Sequence, residues 1–363
     1  MKVLFITNIP SPYRVHFFNE LGKLCDLTVV FERAASAERD DSWKIFSSDY
    51  FKAVVLKGIN SDTDKAFCPD VVRFIKKGLF DRVIVTNFST PTGLLAISWL
   101  RLKKIPYFLE SDGGFPKNGK GIKERVKRFF IKGAAGYFST ADMHDQYYLQ
   151  YGAKPDRLHR YAFTSLYRAD ILERPVSKEE RRTLREKLGM TEERIVLSVG
   201  QFIRRKGFDV LLDALAKMPK DIGCYIVGGQ PTQAYIDQVQ KLGLENIHFV
   251  GFKSKEELAE YFMAADLFSL PTREDIWGLV VNEAMAKGLP VVTTDRCVAG
   301  LELIKDPAVG RLVPVEDAAG LAEAMEAYLP ERDMCDSNAV LERIRKYTFE
   351  EMARQHIEVL SEF

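Results

Sequence analysis

The chain has 363 residues, 46% of them hydrophobic, and this length predicts two domains with a core each. Its five cysteines lack C-x-x-C spacing, which argues against a disulfide framework or a zinc site and predicts a reducing, cytoplasmic compartment. No apolar run approaches the roughly 20 residues of a membrane-spanning helix. The apolar opening is too short for a signal peptide, so Met1 is expected to be the mature start.

The net charge of +1 hides an asymmetry between the two halves of the chain. Residues 1–170 contain 27 Lys and Arg against 18 Asp and Glu, whereas residues 171–363 contain 25 against 33. We therefore expect the N-terminal half to face an anionic partner.

Strands and helices are predicted to alternate along the N-terminal half, which indicates a parallel, doubly wound sheet. The predicted strands are 2–7, 27–31, 53–56, 82–86, 107–109 and 137–139. The predicted helices include 15–24, 69–78 and 92–102. In such a sheet ligands gather at the loops that follow strands, here 11–14, 87–90 and 110–115.

The alternation breaks between residues 163 and 178, where Thr164, Ser165 and Pro175 accompany a charged run, and we place the linker there. A second alternation of strands and helices then begins. Its predicted strands are 194–199, 224–227, 247–250, 267–270, 290–294 and 310–314. Its predicted helices include 207–218, 232–242 and 255–264, and a terminal helix is expected from Phe349 onward.

Two acids in the segment 271–294 lie at an informative interval. This segment is predicted to form a loop, a helix and a buried strand. Asp275 and Glu283 are eight residues apart, so one acid precedes the helix and the other lies roughly 12 Å further along, two turns inside it. The first helix amides and the helix dipole can hold a diphosphate between the acids. These amides belong to Gly278, Leu279 and Val280.

The order acid, x, aromatic, Gly-Leu-Val, two residues, Glu-Ala-Met resembles the signature of the family 4 retaining glycosyltransferases of GT-B architecture. By position, the resemblance implies that Glu283 binds the nucleotide ribose and Asp275 binds hydroxyls of the donor sugar. The family usually has Glu at the first position. Here Asp275 stands there with Glu274 beside it, so which of these carboxylates meets the sugar stays open.

A second cluster follows the first strand of the C-terminal half, where Gly200 begins the sequence G-Q-F-I-R-R-K-G. It resembles the family element Gly-Arg, three variable residues, Lys-Gly, whose Arg and Lys neutralise the leaving diphosphate. Lys206 matches the Lys of this element. Gln201 stands in place of its Arg, so we assign the second cation to Arg205, with Arg204 as the alternative. Cations at a helix start oppose the helix dipole unless an anion joins them, which favours a phosphate site.

Loops elsewhere supply weaker candidates for the same site. Gly228 follows a strand and resembles a family glycine that lets the backbone approach the nucleotide, and Phe252 is expected to border the base pocket. In the loop 110–115, Asp112 is a candidate to contact a sugar hydroxyl or the acceptor proton, with a plain turn as the alternative. The acceptor residues predicted in the N-terminal half are Arg14, Gly113 and Gly114. No histidine has metal-ligand spacing, so no metal site is predicted.

The segment from Lys117 to Lys132 contains seven basic residues and one acid. Its apolar residues on one side of a predicted helix are Ile122, Val126, Phe129 and Phe130. Such a basic amphipathic helix either docks on an anionic membrane surface or packs its apolar stripe on its own domain. The predicted localisation is accordingly cytoplasmic, either free or peripheral on the inner face of the cell membrane.

The resemblance implies an α/β protein of the GT-B class, with two Rossmann-like doubly wound domains that face each other across a cleft. The predicted parts are an acceptor-binding domain (1–168), a nucleotide-sugar-binding domain (174–345) and a helix that crosses back (346–363).

The implied activity is retaining, metal-independent sugar transfer from a nucleotide-diphosphate sugar, with UDP preferred, to a saccharide or lipid-linked acceptor in cell-surface polysaccharide or glycolipid synthesis. It needs no cofactor and involves no nucleic acid. Two alternatives stay open: a nucleotide-sugar epimerase of the same architecture, and a non-catalytic nucleotide-sugar-binding protein.

Overall fold

The computed structural model of the chain describes residues 1–34, 47–62, 65–86, 88–116, 119, 121–329 and 334–363. These residues form two units: unit 1 comprises Met1–Thr164 and Tyr347–Phe363, and unit 2 comprises Ser165–Lys346. Residues 165–168, which the sequence prediction assigns to the first domain, group with unit 2. Four residues of the predicted loops and basic segment lie outside the described residues, namely Asn87, Lys117, Asn118 and Lys120.

Unit 1 contains a parallel sheet whose strands are separated by helices. Its strands in chain order are β1 (Lys2–Thr7), β2 (Asp26–Phe31), β3 (Lys52–Val55), β4 (Ile59–Asp62), β5 (Lys65–Phe67), β6 (Arg82–Val85), β7 (Phe108–Glu110), β8 (Gly136–Ser139) and β9 (Leu158–Arg160). Among the described residues, seven of them pair in parallel in the order β3-β2-β1-β6-β7-β8-β9, and β4 and β5 form a separate hairpin. The order reverses direction beside β1, so the loops after β1 and β6 open at a topological switch point.

Four helices of unit 1 precede the crossing into unit 2, as far as the described residues show. They are α1 (Pro12–Gly22), α2 (Pro91–Leu102), α3 (Ile122–Ile131) and α4 (Asp142–Gln150). Both α1 and α2 begin with a proline, whose fixed φ suits the first helical position. The helix predicted over 69–78 is instead a 3₁₀ helix over Pro69–Phe74, because the chain leaves the helical conformation at the buried Ile75, with φ −99° and ψ 81°.

Unit 2 repeats this plan with a second parallel sheet. Its strands are β10 (Arg194–Val199), β11 (Ile222–Val227), β12 (Ile247–Val250), β13 (Leu267–Leu270), β14 (Val291–Thr294) and β15 (Gly310–Val313). They pair in the order β12-β11-β10-β13-β14-β15, all parallel. Because β10 lies between β11 and β13, the loops that follow β10 and β13 leave the sheet side by side at its switch point.

The helices of unit 2 precede the first of these strands, connect the strands and follow the last one. They are α5 (Lys178–Leu188), α6 (Phe208–Leu215), α7 (Gln233–Leu242), α8 (Lys255–Ala264), α9 (Leu279–Met285), α10 (Val298–Leu303), α11 (Ala318–Tyr328) and α12 (Ser337–Ile344). Strands β10, β13 and β14, in the middle of the sheet, are almost wholly buried, which is typical of a parallel sheet covered on both faces.

The chain then returns to unit 1 with α13 (Phe349–Ser361), which packs on α1. Its start is capped by Thr348, whose hydroxyl accepts the Glu351 N–H at 3.3 Å. Its buried face carries His356, whose ring stacks on Phe138 of β8 with 4.3 Å between centroids. Across the part of the chain that the structure describes, no helix is both long enough and apolar enough to cross a bilayer.

Candidate active site

The loop after β10 is brought against the loop after β13 by a glycine. Residues Arg204–Lys206 form one 3₁₀ turn, and Gly207 ends it with φ 72°, in the left-handed region. A Cβ at Gly207 would lie 2.0 Å from the carbonyl oxygen of Pro271, closer than any side chain permits. Gly207 therefore allows the two loops to touch, and α6 begins directly after it.

Asp275 is the point on which the cations of the first loop converge. Its carboxylate accepts the Lys206 ammonium at 2.7 Å and lies 3.3 Å from the Arg205 guanidinium, and the residue is 8% exposed. The backbone N–H of Asp275 donates to the carbonyl oxygen of Arg296, which fixes the loop to the segment after β14. Two cations on one carboxylate leave positive charge in excess at this position.

The neighbouring carboxylate and the alternative cation are placed differently. Glu274 pairs with Arg296 at 2.6 Å, so this carboxylate already has a cation partner. Among the described residues, the ion pairs of Asp275 are made by Arg205 and Lys206, and none joins it to Arg204. The sequence left open Asp275 or Glu274 as the sugar ligand, and Arg205 or Arg204 as the second cation. In the structure Asp275 and Arg205 form an ion pair with each other.

Helix α9 starts beside this cluster. Gly278 precedes it with φ 100°, and the indole N–H of Trp277 donates to the Asn282 side chain at 2.8 Å, which fixes the entry of the chain into the helix. By helix geometry, the N–H groups of Leu279 and Val280 have no acceptor within the helix. The amides that the sequence assigned to a diphosphate thus lie directly after the loop that carries Asp275.

Glu283 lies on α9 and is half-buried. Its Oε1 accepts a hydrogen bond from the Ser165 hydroxyl at 2.9 Å. Burial raises the pKa of Glu283 and the Ser165 hydrogen bond opposes this rise. The sequence singled out Glu283 but had no means to identify Ser165, since 118 positions separate the two residues.

The remaining predicted donor residues lie just after β10, β11 and β12, namely Gly200, Gly228 and Phe252. A Cβ at Gly228 would lie 1.9 Å from the carbonyl oxygen of Gly200, so the two backbones approach as closely as glycine permits. Gly229 faces the ring of Phe252, and Phe252 is 74% exposed. The structure therefore brings Gly200 and Gly228 together, with an exposed aromatic ring beside Gly229.

In unit 1, Arg14 and Asp112 form a pair after β1 and β7. Asp112 accepts hydrogen bonds from the Arg14 guanidinium and, at 2.5 Å, from the Tyr13 hydroxyl. Arg14 is 4% exposed and also donates to the buried Glu110, so both carboxylates engage its guanidinium inside unit 1. Asp112 keeps 27% of its side chain exposed. The adjacent Gly114 backbone lies against the ring of Tyr147.

Glu110 and His356 are functional candidates that the sequence did not provide. Burial would raise the pKa of Glu110, but Arg14 and His356 lower it to about 2, so this carboxylate is ionised. His356 Nε2 faces Glu110 at 3.1 Å and its Nδ1 faces the Met352 carbonyl at 2.7 Å. The sequence places Glu110 at the start of the predicted loop 110–115, but it gives no sign that His356 of α13 contacts this carboxylate.

A buried serine–histidine pair in unit 1 lacks the features of a nucleophile. Ser111 Oγ lies 2.8 Å from His144 Nε2. The Thr140 N–H donates to His144 Nδ1 at 3.2 Å, so the hydrogen of this ring is on Nε2, which cannot take the serine proton. Burial lowers the pKa of His144 to about 3, which keeps it neutral. This pair supports the loop that carries Asp112.

Residues 180–347 match the family model described as glycosyl transferases group 1. Unit 2 carries a glycosyl transferases group 1 domain. The chain is 27% identical over 267 residues to a mannosylfructose-phosphate synthase of Agrobacterium fabrum, covering 63% of this chain and 57% of that protein. It is 27% identical over 259 residues to a putative teichuronic acid biosynthesis glycosyltransferase of Bacillus subtilis, covering 70% of this chain and 62% of that protein.

The chain spans about half of the length of the curated relatives that it matches, from 44% to 62% in the first three. The crystal structure of Anabaena HepE in complex with UDP superposes with a TM-score of 0.79 at 19% identity, over 100% of both chains. This likeness, with the two parallel sheets, confirms the predicted GT-B fold class. The glycosyl transferases group 1 domain begins within α5 and includes Lys206, Asp275 and Glu283. In the described residues, no three His, Cys, Asp or Glu side chains are grouped to hold a metal ion.

Proposed function

We propose that this chain is a retaining glycosyltransferase that moves a sugar from a nucleotide-diphosphate sugar, with UDP as the nucleotide, to a hydroxyl of a saccharide or lipid-linked acceptor in polysaccharide or glycolipid synthesis. The observation that carries the proposal is the convergence of Lys206 and Arg205 on Asp275, beside the start of the helix that bears Glu283. The group 1 domain, the teichuronic acid pathway named for the Bacillus relative and the UDP bound to Anabaena HepE support it.

Each group of this cluster has a part in binding the donor. Glu283 accepts hydrogen bonds from the ribose hydroxyls, and Asp275 accepts from hydroxyls of the donor sugar. Lys206 and Arg205, already held by Asp275, pair with the diphosphate. Because the cations are in place before the donor arrives, little reorganisation is needed when charge develops on the phosphates.

The reaction breaks the bond between the anomeric carbon and the diphosphate oxygen and forms a bond to the acceptor oxygen on the same face of the sugar. The acceptor hydroxyl gives up its proton as the diphosphate leaves with the bonding electrons. Negative charge therefore grows on the departing oxygens, and Lys206, Arg205 and the first amides of α9 stabilise the transition state more than the ground state. These groups supply the charge that a metal ion supplies in other enzymes.

For the acceptor we propose the loop of unit 1 that carries Asp112. Asp112 retains exposed surface and Gly113 beside it is partly exposed, whereas Gly114 is buried against Tyr147 and shapes the loop from below. Arg14 is engaged by Glu110 and Asp112, so its part is to hold the Asp112 carboxylate in position. Asp112 then binds the acceptor hydroxyl or takes its proton.

The test is a screen of UDP-, GDP- and ADP-sugars by thermal shift, followed by turnover of the stabilising donor. We expect UDP-sugars to raise the melting temperature most and the product to keep the anomeric configuration of the donor. Stabilisation by GDP- or ADP-sugars alone would contradict the choice of UDP. Incubation of the donor alone separates the proposal from an epimerase, which would change the configuration of the sugar without an acceptor.

A metal chelator tests the role given to the cations. We expect turnover to survive EDTA, because Lys206 and Arg205 neutralise the diphosphate. Loss of turnover with EDTA, restored by Mg²⁺ or Mn²⁺, would show that a metal ion supplies this charge instead.

We also propose that α3 docks unit 1 on an anionic membrane surface. Ile122, Val126 and Phe129 are 79%, 42% and 59% exposed, so most of the predicted apolar stripe is not packed on its own domain. The basic residues of α3 are Lys123, Arg125, Lys127 and Arg128. Each cation near an anionic bilayer contributes about 1 kcal/mol, so such a patch can hold the enzyme reversibly at a lipid-linked acceptor.

Co-sedimentation with liposomes tests this docking. The parent should pellet with anionic vesicles at low salt and be released at high salt, because the screening length falls from about 10 Å at 0.1 M to about 3 Å at 1 M. Changing Lys123, Arg125, Lys127 and Arg128 to Gln should weaken the binding. Equal partitioning onto neutral and anionic vesicles would show that electrostatic attraction does not drive the binding. No partitioning onto either would contradict the proposed membrane docking.

A further inference from the structure

The segment 165–172 at the start of unit 2 is fastened along α9. Lys287, one turn after Glu283, donates to the Asp170 carbonyl oxygen at 2.5 Å. The Leu172 N–H donates to the Ala286 carbonyl at 3.0 Å. These bonds fix the segment beside the C-terminal end of the helix.

A second set of bonds fixes the turn inside this segment. The Asp170 carboxylate accepts the Tyr167 N–H at 2.7 Å and the Lys255 ammonium at 2.7 Å. The turn is thereby tied to α8 as well as to α9. Leu166, between this turn and Ser165, is 2% exposed. Ser165 is thus held at a defined position and is not on a free loop.

From this position the Ser165 hydroxyl donates to Glu283 Oε1 at 2.9 Å. A carboxylate has about four lone-pair sites, and Ser165 occupies one of them. The neighbouring 2′ and 3′ hydroxyls of a ribose can donate to two of the others, one to each oxygen. A single hydroxyl that fixes the carboxylate rotamer therefore leaves it ready for a vicinal diol.

The charges around Glu283 fit this arrangement. Burial raises the pKa of Glu283 and Asp170 adds to this rise, whereas the nearby Lys255 and Lys287 oppose it and favour the ionised form. Burial lowers the pKa of Lys287, and the nearby Asp170 and Glu283 carboxylates partly oppose this decrease. The carboxylate is therefore stabilised by a hydroxyl and by cations whose direct hydrogen bonds go to Asp170.

We infer that Ser165 is a positioning residue for the donor, which acts through Glu283 to select a nucleotide that carries both ribose hydroxyls. The inference rests on the proposed function, because it takes Glu283 as the ribose ligand. Ser165 does not contact the reacting atoms. Its hydrogen bond turns the Glu283 carboxylate toward the diol, so its loss reduces recognition of the ribose and of nothing else on the nucleotide.

The experiment compares the affinities of UDP and 2′,3′-dideoxy-UDP by calorimetry for the parent, Ser165→Ala and Ser165→Thr. Loss of one hydrogen bond should weaken UDP binding to Ser165→Ala by about three- to tenfold. Binding of dideoxy-UDP should not change, and Ser165→Thr, which keeps the hydroxyl, should resemble the parent. Ser98→Ala is the matched control, because it removes a serine hydroxyl that donates to the Leu94 carbonyl within α2, far along the chain from Glu283.

The outcomes separate this inference from the function on which it rests. A parent that binds neither nucleotide, or binds both equally well, would overturn the ribose role of Glu283 and the inference together. A parent that prefers UDP while Ser165→Ala keeps the same preference would overturn the inference alone. Equal weakening of both nucleotides in Ser165→Ala would show a general structural role and would also overturn it.

Discussion

Unit 1 and unit 2 each bring basic side chains against carboxylates at the ends of parallel strands, but the two clusters differ in burial and in charge balance. In unit 1, Arg14, Glu110 and His356 are at most 4% exposed. Here the single guanidinium of Arg14 is shared by two carboxylates, those of Glu110 and Asp112. Every charge of this cluster has a partner within the protein.

The cluster of unit 2 is more exposed, and its cations outnumber its carboxylate. Lys206 and Arg205 share the single carboxylate of Asp275, and 47% of the Arg205 side chain is exposed. A buried cluster whose charges are all paired holds elements of a fold together, whereas exposed cations in excess are suited to an anionic ligand. We therefore expect the same residue types to serve stability in unit 1 and the proposed donor binding in unit 2, and variants should separate the two roles.

The largest effect on the free energy of unfolding is expected from removing the cation of the buried cluster. Replacing Arg14 with Met leaves two carboxylates without their shared cation, and breaking a buried pair in this way costs about 3–5 kcal/mol. Urea unfolding followed by circular dichroism measures the loss. Arg174→Met is the matched control, because its pair with Glu180 is exposed and should contribute little. A change no larger than that of the control would show that the cluster does not stabilise unit 1.

The next effect concerns turnover. Lys206→Ala removes a charge that is needed most when the diphosphate leaves, so kcat should fall by about 10²–10³-fold. The free energy of unfolding should change little in comparison with Arg14→Met, because Arg205 still pairs with Asp275. Lys241→Ala, at an exposed position on α7, controls for loss of a lysine. A kcat close to that of the parent would show that Lys206 does not take part in the reaction.

The pH dependence of unfolding should show the same contrast. The folded pKa of Glu110 lies at about 2, below its ordinary value of 4.5. A carboxyl with a lowered folded pKa stabilises the protein above its unfolded pKa, and this contribution is lost as the pH falls from about 4.5 toward 2. The shift corresponds to about 3 kcal/mol.

Urea titrations at pH 7, 4 and 3 measure this contribution against the background of other carboxyls. The parent should lose more stability over this range than Glu110→Gln, which has no carboxyl to titrate there. Parallel pH curves for the two proteins would mean that Glu110 is not held as an ion pair.

The sequence predicted most of the local structure because local patterns determine it. The bounds of β1, β10, β12 and β13 agree with the predicted ranges. Helix α5 is not predicted from the sequence, because its segment is a charged run without an apolar stripe. Its capping box between Ser177 and Glu180 was nevertheless a readable signal.

The sites were harder, because they depend on contacts between distant segments. The motif around Glu283 identified one acid, but the sequence did not show that Ser165 reaches it. Likewise, the position of Arg14 on the first turn of α1 said nothing about Glu110, 96 residues later. Buried partners of charged residues come from the strand order and the return of the last helix, and neither is encoded in local spacing.

The smallest of these effects, on affinity alone, is expected at Glu283. Glu283→Gln removes one charge-assisted hydrogen bond of roughly 1.5–3 kcal/mol, so UDP should bind about ten- to a hundredfold more weakly. Calorimetry with UDP measures this, with Glu245→Gln at an exposed loop of unit 2 as the control. The variant should unfold at nearly the urea concentration of the parent, because its half-buried carboxylate is held by one hydroxyl and by no ion pair among those that the described residues form. Parent-like affinity would reject Glu283 as the ribose ligand. Weaker binding together with a large loss of stability would show that Glu283 mainly stabilises the fold, as the buried cluster of unit 1 does.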